Sequence, residues 1–200
     1  MRQGLQQIIF ACYALARRMG FMSTTLGQEL FLLTYFLYKR HVEAPWASVV
    51  RDLAVPGSLA IDVGANVGYH TVLMAEAVGG RGRVVAFEPE ALNRRLLERV
   101  VRRKKLANVT IVGAALGARQ GMTSLYLNPD HPGDHRTWQA RGLAGAQATP
   151  VPLTTLDHYL EQRGENLPVS LVKIDVQGAE LQVLQGMRKT LSGEVLSIGV

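Results

Sequence analysis

Apolar positions near the start of the chain recur three and four residues apart. Leu5, Ile8, Ile9, Cys12, Leu15 and Met19 share one side of a predicted helix. A second run, Leu26 to Tyr38, is more uniformly apolar and predicts another helix. Neither run reaches the roughly 18–20 apolar residues of a membrane span. Such helices can cover a sheet, pair with a second copy of the chain, or lie on a membrane surface.

The pattern changes at Pro56-Gly57. Short apolar runs at Leu59–Val63, Arg83–Phe87 and Val109–Val112 predict strands. Helical periodicity fills residues 67–78, stopped by Gly79-Gly80, and then Leu92–Lys105. Continuously apolar strands alternating with helices imply a parallel sheet covered on both faces. After Gly121 the period becomes two, and Met122–Leu127 and Thr149–Leu156 are expected as antiparallel additions. Between them lies a polar loop, 128–148. Val169–Asp175 predicts another buried strand, residues 178–191 a helix, and Glu194–Val200 the start of a further strand. The expected organisation is an N-terminal helical extension over 1–55 and one α/β domain over 56–200.

Composition narrows the class. Hydrophobic residues make up 48% of the 200, which excludes a disordered or low-complexity chain. A lone cysteine, Cys12, builds neither an internal disulfide nor a structural zinc site. That fits a reducing, cytoplasmic setting, with membrane association through the N-terminal helices as the further option. The formal charge of +6 raises the question of nucleic acid, so its location matters. Nine basic and three acidic side chains fall in 81–105, which accounts for the whole excess. This stretch ends in Arg102-Arg103-Lys104-Lys105 and holds no aromatic beyond Phe87 for stacking on bases. It reads as a solvated helix face, its basic end suited to the helix C-terminus, and disfavours nucleic acid as a partner.

The chemistry starts at Asp62-Val63-Gly64-Ala65-Asn66-Val67-Gly68, which joins the first strand to its helix. A dinucleotide fingerprint needs glycine at 64, 66 and 69, but Asn66 and Tyr69 occupy two of those places. What remains is an acid followed by a glycine turn, suited to a zwitterionic ligand. Glycines admit close backbone approach, and the N–H groups of a helix start attract a carboxylate. Asp62 is placed to hold an ammonium group, directly or through water. Glu88 ends the second strand, where a ribose-hydroxyl acceptor belongs in a doubly wound sheet. Acid, glycine turn and second acid together describe a nucleoside with an amino-acid tail, S-adenosylmethionine.

The segments IDVGANVGYHTVL at 61–73, AFEP at 86–89, AALG at 114–117, TTLD at 154–157 and KIDVQGAELQVLQGM at 173–187 resemble the FkbM-type methyltransferase family. The resemblance covers about residues 56–200. It implies a class I, Rossmann-like doubly wound α/β fold and O-methylation of a hydroxyl on a sugar, glycan, lipid or natural product. It also implies donor contacts at Asp62, Gly64, Ala65, Asn66, Gly68 and Glu88, with adenine near Ala114 and Ala115. Class I sheets finish with an antiparallel hairpin after the fifth strand. Because the sequence stops inside that strand, an incomplete C-terminal edge is expected.

Methyl transfer to oxygen needs an oriented acceptor and, for a weakly acidic hydroxyl, a proton acceptor. Asp175 ends a strand at the expected reaction edge. Lys173, two residues earlier, shares its strand face and can pair with it, or serve a buried ion pair. Glu180 lies in the first turn of the next helix. These three are the catalytic candidates, each with a structural alternative as a cap or charge partner. The family's Glu is replaced at Gln177, which removes a charge. His70 reads as a wall residue. In the polar loop, either His131 or His135 is a candidate lid-borne general base and Trp138 a candidate platform for a sugar face, and no metal site is expected. Two other functions compete: a catalytically silent interaction module of the same fold, and a basic RNA methyltransferase.

Overall fold

The computed structural model describes residues 19–126, 137, 148–193 and 198–199. The helix expected over 5–19 therefore falls almost wholly outside the described residues. After a 3-10 turn (Phe21–Ser23) come α1 (Thr25–Val42) and α2 (Ala44–Leu53). Thr24 caps α1 by accepting from the Gly27 amide at 3.0 Å. Lys39, Arg40 and His41 carry α1 beyond the apolar run, because basic groups complement the C-terminal end of a helix. α2 has no counterpart among the expected elements. Its ten residues include Pro45 in the first turn, where proline costs no hydrogen bond.

The α/β unit follows in chain order: β1 (Leu59–Val63), α3 (Tyr69–Val78), β2 (Arg83–Phe87), α4 (Ala91–Arg103) and β3 (Val109–Val112), then β4 (Ala115–Leu116), β5 (Gly121–Tyr126) and β6 (Ala148–Thr154). Last come α5 (Leu156–Arg163), β7 (Val169–Ile174), α6 (Glu180–Gln185), α7 (Arg188–Ser192) and β8 (Ile198–Gly199). The main sheet runs β3-β2-β1-β7-β8 with every pairing parallel. The chain moves outward from β1 through β2 to β3, then returns to the other side of β1 as β7. That reversal opens a crevice beyond the carboxyl ends of β1, β2 and β7. The fold is the Rossmann-like α/β architecture.

Strand alternation divides the core in two. Leu59, Ile61, Val63, Val85, Phe87, Val172 and Ile174 face α5 and α6, meeting Leu156, Val183 and Met187. Ala60, Val84 and Leu171 face the other way, onto Val50 and Ala54 of α2 and Met74, Ala75 and Val78 of α3. Leu32 of α1 packs with Val67, Val72, Leu96 and Val100. Small alanines on this second face let helices approach the sheet closely.

Three expectations are corrected. The period-two segments do not extend the main sheet: β5 and β6 pair antiparallel, and β4 joins β6 in parallel, as a separate sheet ordered β4-β6-β5. Leu156 begins α5 rather than ending a strand, because the Thr155 side chain accepts from the His158 amide at 3.1 Å and caps a helix there. The helix expected over 178–191 breaks at Gly186-Met187 into α6 and α7. The basic stretch is the solvated face expected, with Arg95, Arg102, Arg103, Lys104 and Lys105 exposed, and some of its groups also pair within the chain. Arg99 and Arg103 pair with Glu29 of α1 at 3.6 and 2.6 Å, Lys104 with Glu76 at 3.2 Å, and Arg83 with Glu165 at 2.9 Å. Among the described residues no helix is long and apolar enough to cross a membrane.

Gly186, at the break, leaves no room for a side chain, since a Cβ there would sit 2.0 Å from the Gly117 carbonyl oxygen. Gly186→Ala is expected to cost about 1–3 kcal/mol by urea unfolding. Gly80→Ala, at a position with nothing within 4 Å, is expected to be neutral or slightly stabilising. Equal effects of the two would contradict this packing.

Candidate functional site

Beyond the carboxyl ends of β1, β2 and β7 lies a cleft of about 290 Å³. Its floor is the turn from β1 to α3. Gly64 and Gly68 hold φ of 75° and 94°, and Asn66 between them holds 52°. A Cβ on Gly64 would lie 2.1 Å from the Asp175 carbonyl oxygen, so the two strand ends touch through backbone there. The residue must be glycine on both counts.

Glu88 forms the next part of the wall. It is 5% exposed, and its two carboxylate oxygens accept from the Asn66 amide at 2.7 Å and the Glu90 amide at 2.9 Å. Burial pushes its carboxyl up to about 7, against the opposing pull of those two amides. Ala114 and Ala115 line the same cleft as buried, apolar surface beside Phe87 and Leu116. Asp175 is exposed at the rim and accepts from Gln177 Nε2 at 2.8 Å. Gln177 holds the left-handed region at φ 55°, an uncommon conformation for such a side chain.

Two expected placements differ. Asp62 does not line the cleft: it is fully buried below the glycine turn, and its carboxylate already holds an ammonium group, that of Lys173, at 3.0 Å. Thr71 of α3 donates to its other oxygen at 2.6 Å. Lys173 therefore pairs with Asp62 and not with Asp175. The cause is register, since Asp62 and Lys173 are direct partners across the β1–β7 ladder and share one sheet face. Lys173 Nζ also donates to the Gly64 carbonyl at 2.9 Å, tying the ammonium to the turn. Burial opposes both charges, but the Lys173 ammonium holds Asp62 below its ordinary range and Asp62 holds Lys173 above its own. The other difference is Glu180, which lies outside the cleft wall and accepts from the Gly178 amide at 3.0 Å.

The far wall comes from α1, where no sequence motif marks it. Tyr35, Tyr38, Lys39, Val42 and Glu43 all line the cleft. Glu43 faces His70 of α3, with Nε2 and Oε2 3.2 Å apart, and also pairs with Lys39. Burial works against the Glu43 carboxylate, yet His70 and Lys39 lower it to about 2. Tyr35 is pushed well above its ordinary value by burial and by the carboxylates around it, so it stays a neutral phenol. A helical spacing of Tyr35, Tyr38 and Val42 was the available signal, indistinguishable in sequence from packing against a core. Thr137 is the one described residue of the polar loop on this wall. His131, His135 and Trp138 lie outside the described residues. Among the described residues no cluster of metal-ligating side chains occurs.

The buried pair gives a stability test. Lys173→Met leaves a buried carboxylate unpaired and is expected to cost about 3–5 kcal/mol in urea unfolding. Replacing Asp62 as well, by Val, is expected to recover much of the loss. A K173M loss below about 1 kcal/mol would show that the pair is not buried in solution. By sign, the lowered Asp62 contributes stability above its unfolded-state value, lost as pH falls through the folded one. Glu88, raised from 4.5 to about 7, contributes most at acid pH and loses that contribution as pH rises through 7.

Comparison with known proteins gives the context. No curated protein matches the sequence. The fold is similar to a crystal structure of methyltransferase FkbM from Methylobacillus flagellatus KT, at 17% identity and a TM-score of 0.47, over 79% of this chain and 40% of that one. It is also similar to fibrillarin from Aeropyrum pernix, crystallised with natively bound S-adenosyl-L-methionine, at 17% identity and a TM-score of 0.42, over 68% of this chain and 42% of that one. The chain thus spans less than half the length of either protein. The family model of the methyltransferase FkbM domain matches residues 62–195, starting at the buried Asp62, and the chain belongs to that methyltransferase family.

Proposed function

We propose that the cleft binds S-adenosylmethionine and presents its methyl group to a hydroxyl acceptor, making the protein an S-adenosylmethionine-dependent O-methyltransferase. The observation that carries the reading is Glu88: a buried carboxylate at the end of β2, oriented by two backbone amides and open to the cleft. Each of its oxygens keeps a lone pair for a ribose hydroxyl. Apolar Ala114 and Ala115 suit a purine, and the turn at Gly64, Ala65, Asn66 and Gly68 suits the amino-acid tail. These residues fit the donor. Asp62 and Lys173 support the turn from below and act as positioning residues. The sulfonium donor supplies an activated methyl group for in-line displacement by the acceptor oxygen.

The acceptor belongs between the donor and α1, against Tyr35, Tyr38, Lys39, Glu43 and His70, with Asp175 at the rim. Glu43 and Asp175 are the carboxylates, and His70 the imidazole, that face this space. A sugar, glycan, lipid or natural-product hydroxyl is the acceptor class that the family resemblance supports. The basic stretch gives RNA little support, because none of its arginines or lysines lines the cleft.

Isothermal titration with S-adenosylhomocysteine is expected to give one site per chain. If Glu88 accepts ribose hydroxyls in its ionised form, affinity falls by up to about tenfold per pH unit below its folded value and levels off above it. Glu88→Gln is expected to weaken binding and flatten that profile. A folded protein that binds no S-adenosylhomocysteine at pH 8 would favour the silent interaction module instead.

A further inference from the structure

α1 has two working sides. Its inner side lines the cleft and packs Leu32 into the core. Its outer side carries Leu26, Leu30, Leu33 and Leu37, which are 71, 51, 57 and 49% exposed. Steps of four, three and four residues set them in one line along the helix. Exposed aromatics flank the helix in the chain, Phe21 before α1 and Trp46 in the first turn of α2. A contiguous apolar strip of this kind on a soluble chain marks a contact surface.

The charges around the strip say what it contacts. The acids of this region are paired within the chain: Glu29, the one acid of α1, with Arg99 and Arg103, and Glu43 with Lys39 and His70. The exposed charged groups left on α1 and α2 are Arg40 and Arg51 against Asp52. A leucine seam between two copies of a helix is flanked by paired acids and bases. Here no exposed acid lies along α1 to meet a partner's Arg40. Leucines flanked by aromatics and bordered by arginines are the composition of a helix lying in a lipid interface.

We propose that the outer face of α1, with Phe21 and Trp46, docks the protein on an anionic membrane surface. Because the inner face of the same helix lines the cleft, docking sets the acceptor side of the cleft beside the lipid interface. Resting on the proposed methyltransferase reading, this assigns the acceptor to the class of membrane-borne amphiphiles whose hydroxyl group stands at the headgroup level. Bilayer and cleft then share one helix as their boundary.

The test is vesicle flotation of the full chain, with phosphatidylcholine vesicles and with vesicles containing about 30 mol% phosphatidylserine, at about 0.1 M salt. Binding is expected on the anionic vesicles, weakened by added salt and by Arg40→Glu. It is expected to fall at least tenfold in a Leu30→Glu, Leu37→Glu variant whose circular dichroism matches wild type; both positions are exposed, so folding is retained. Absent binding by wild type, or equal binding by the folded double variant, overturns the proposal. A wild-type dimer by light scattering that the double variant converts to monomer also overturns it, by giving the face to a second copy. Flotation needs neither donor nor acceptor, so its outcome is independent of the S-adenosylhomocysteine titration.

Discussion

The buried pair of Asp62 and Lys173 is the constraint on which the site depends. Two charges at 0 and 13% side-chain exposure are tolerable only because each satisfies the other and both find further partners. Thr71 brings α3 onto the pair, and the Gly64 carbonyl brings the β1–α3 turn onto it. One ion pair thus fixes β7 against β1, sets the height of the glycine turn above the sheet, and anchors the first turn of α3. The turn in turn offers the Asn66 amide to Glu88. Removing the pair would disturb the cleft through Lys173, which lines it, and through the turn that Asp62 supports from below.

Around that anchor the cleft is a composite. One side is built from the ends of parallel strands, where backbone geometry is dictated by the sheet. The other is built from α1 and its C-cap, which precede the α/β unit, through Tyr35, Tyr38, Lys39 and Glu43. The link between the two sides is Glu43 with His70, which joins the end of α1 to the helix that begins at the glycine turn. Exchanging the covering helix while keeping the sheet would change that wall and leave the strand-end wall alone. Such a division suits a fold whose function is set by what is attached to its strand ends.

Much of the architecture was legible because it follows local rules. The bounds of β1, β2 and β3 match their apolar runs, since strands buried on both faces tolerate few polar residues. Glu88 was legible for the same reason: a carboxylate closing an apolar strand has no packing role there. The second sheet was not, because period-two alternation specifies an exposed and a buried face but names no partner for the edge. α2 escaped notice although it is amphipathic, burying Ala47 and Val50, because it is short and starts at Ala44-Pro45 directly after α1, where proline reads as a break. The split between α6 and α7 falls at Gly186, which packs against the Gly117 carbonyl, from a segment far away in sequence.

What the sequence alone determined is the order of strands and helices, the glycine turn, and the acids flanking it, since these depend on neighbours within a turn or a strand. Tertiary structure decided the partners. Lys173 and Asp175 lie two residues apart on one strand, and sequence pairs them. The β1–β7 register instead puts Lys173 opposite Asp62, where a shared sheet face and a dry interior favour the buried pair over the exposed one. The same holds for the positive charge. Its location near α4 is written in the sequence, but only folding brings Glu29 and Glu76 to it. Coulombic interaction depends on distance in space, and distance in space is what a list of residues does not contain.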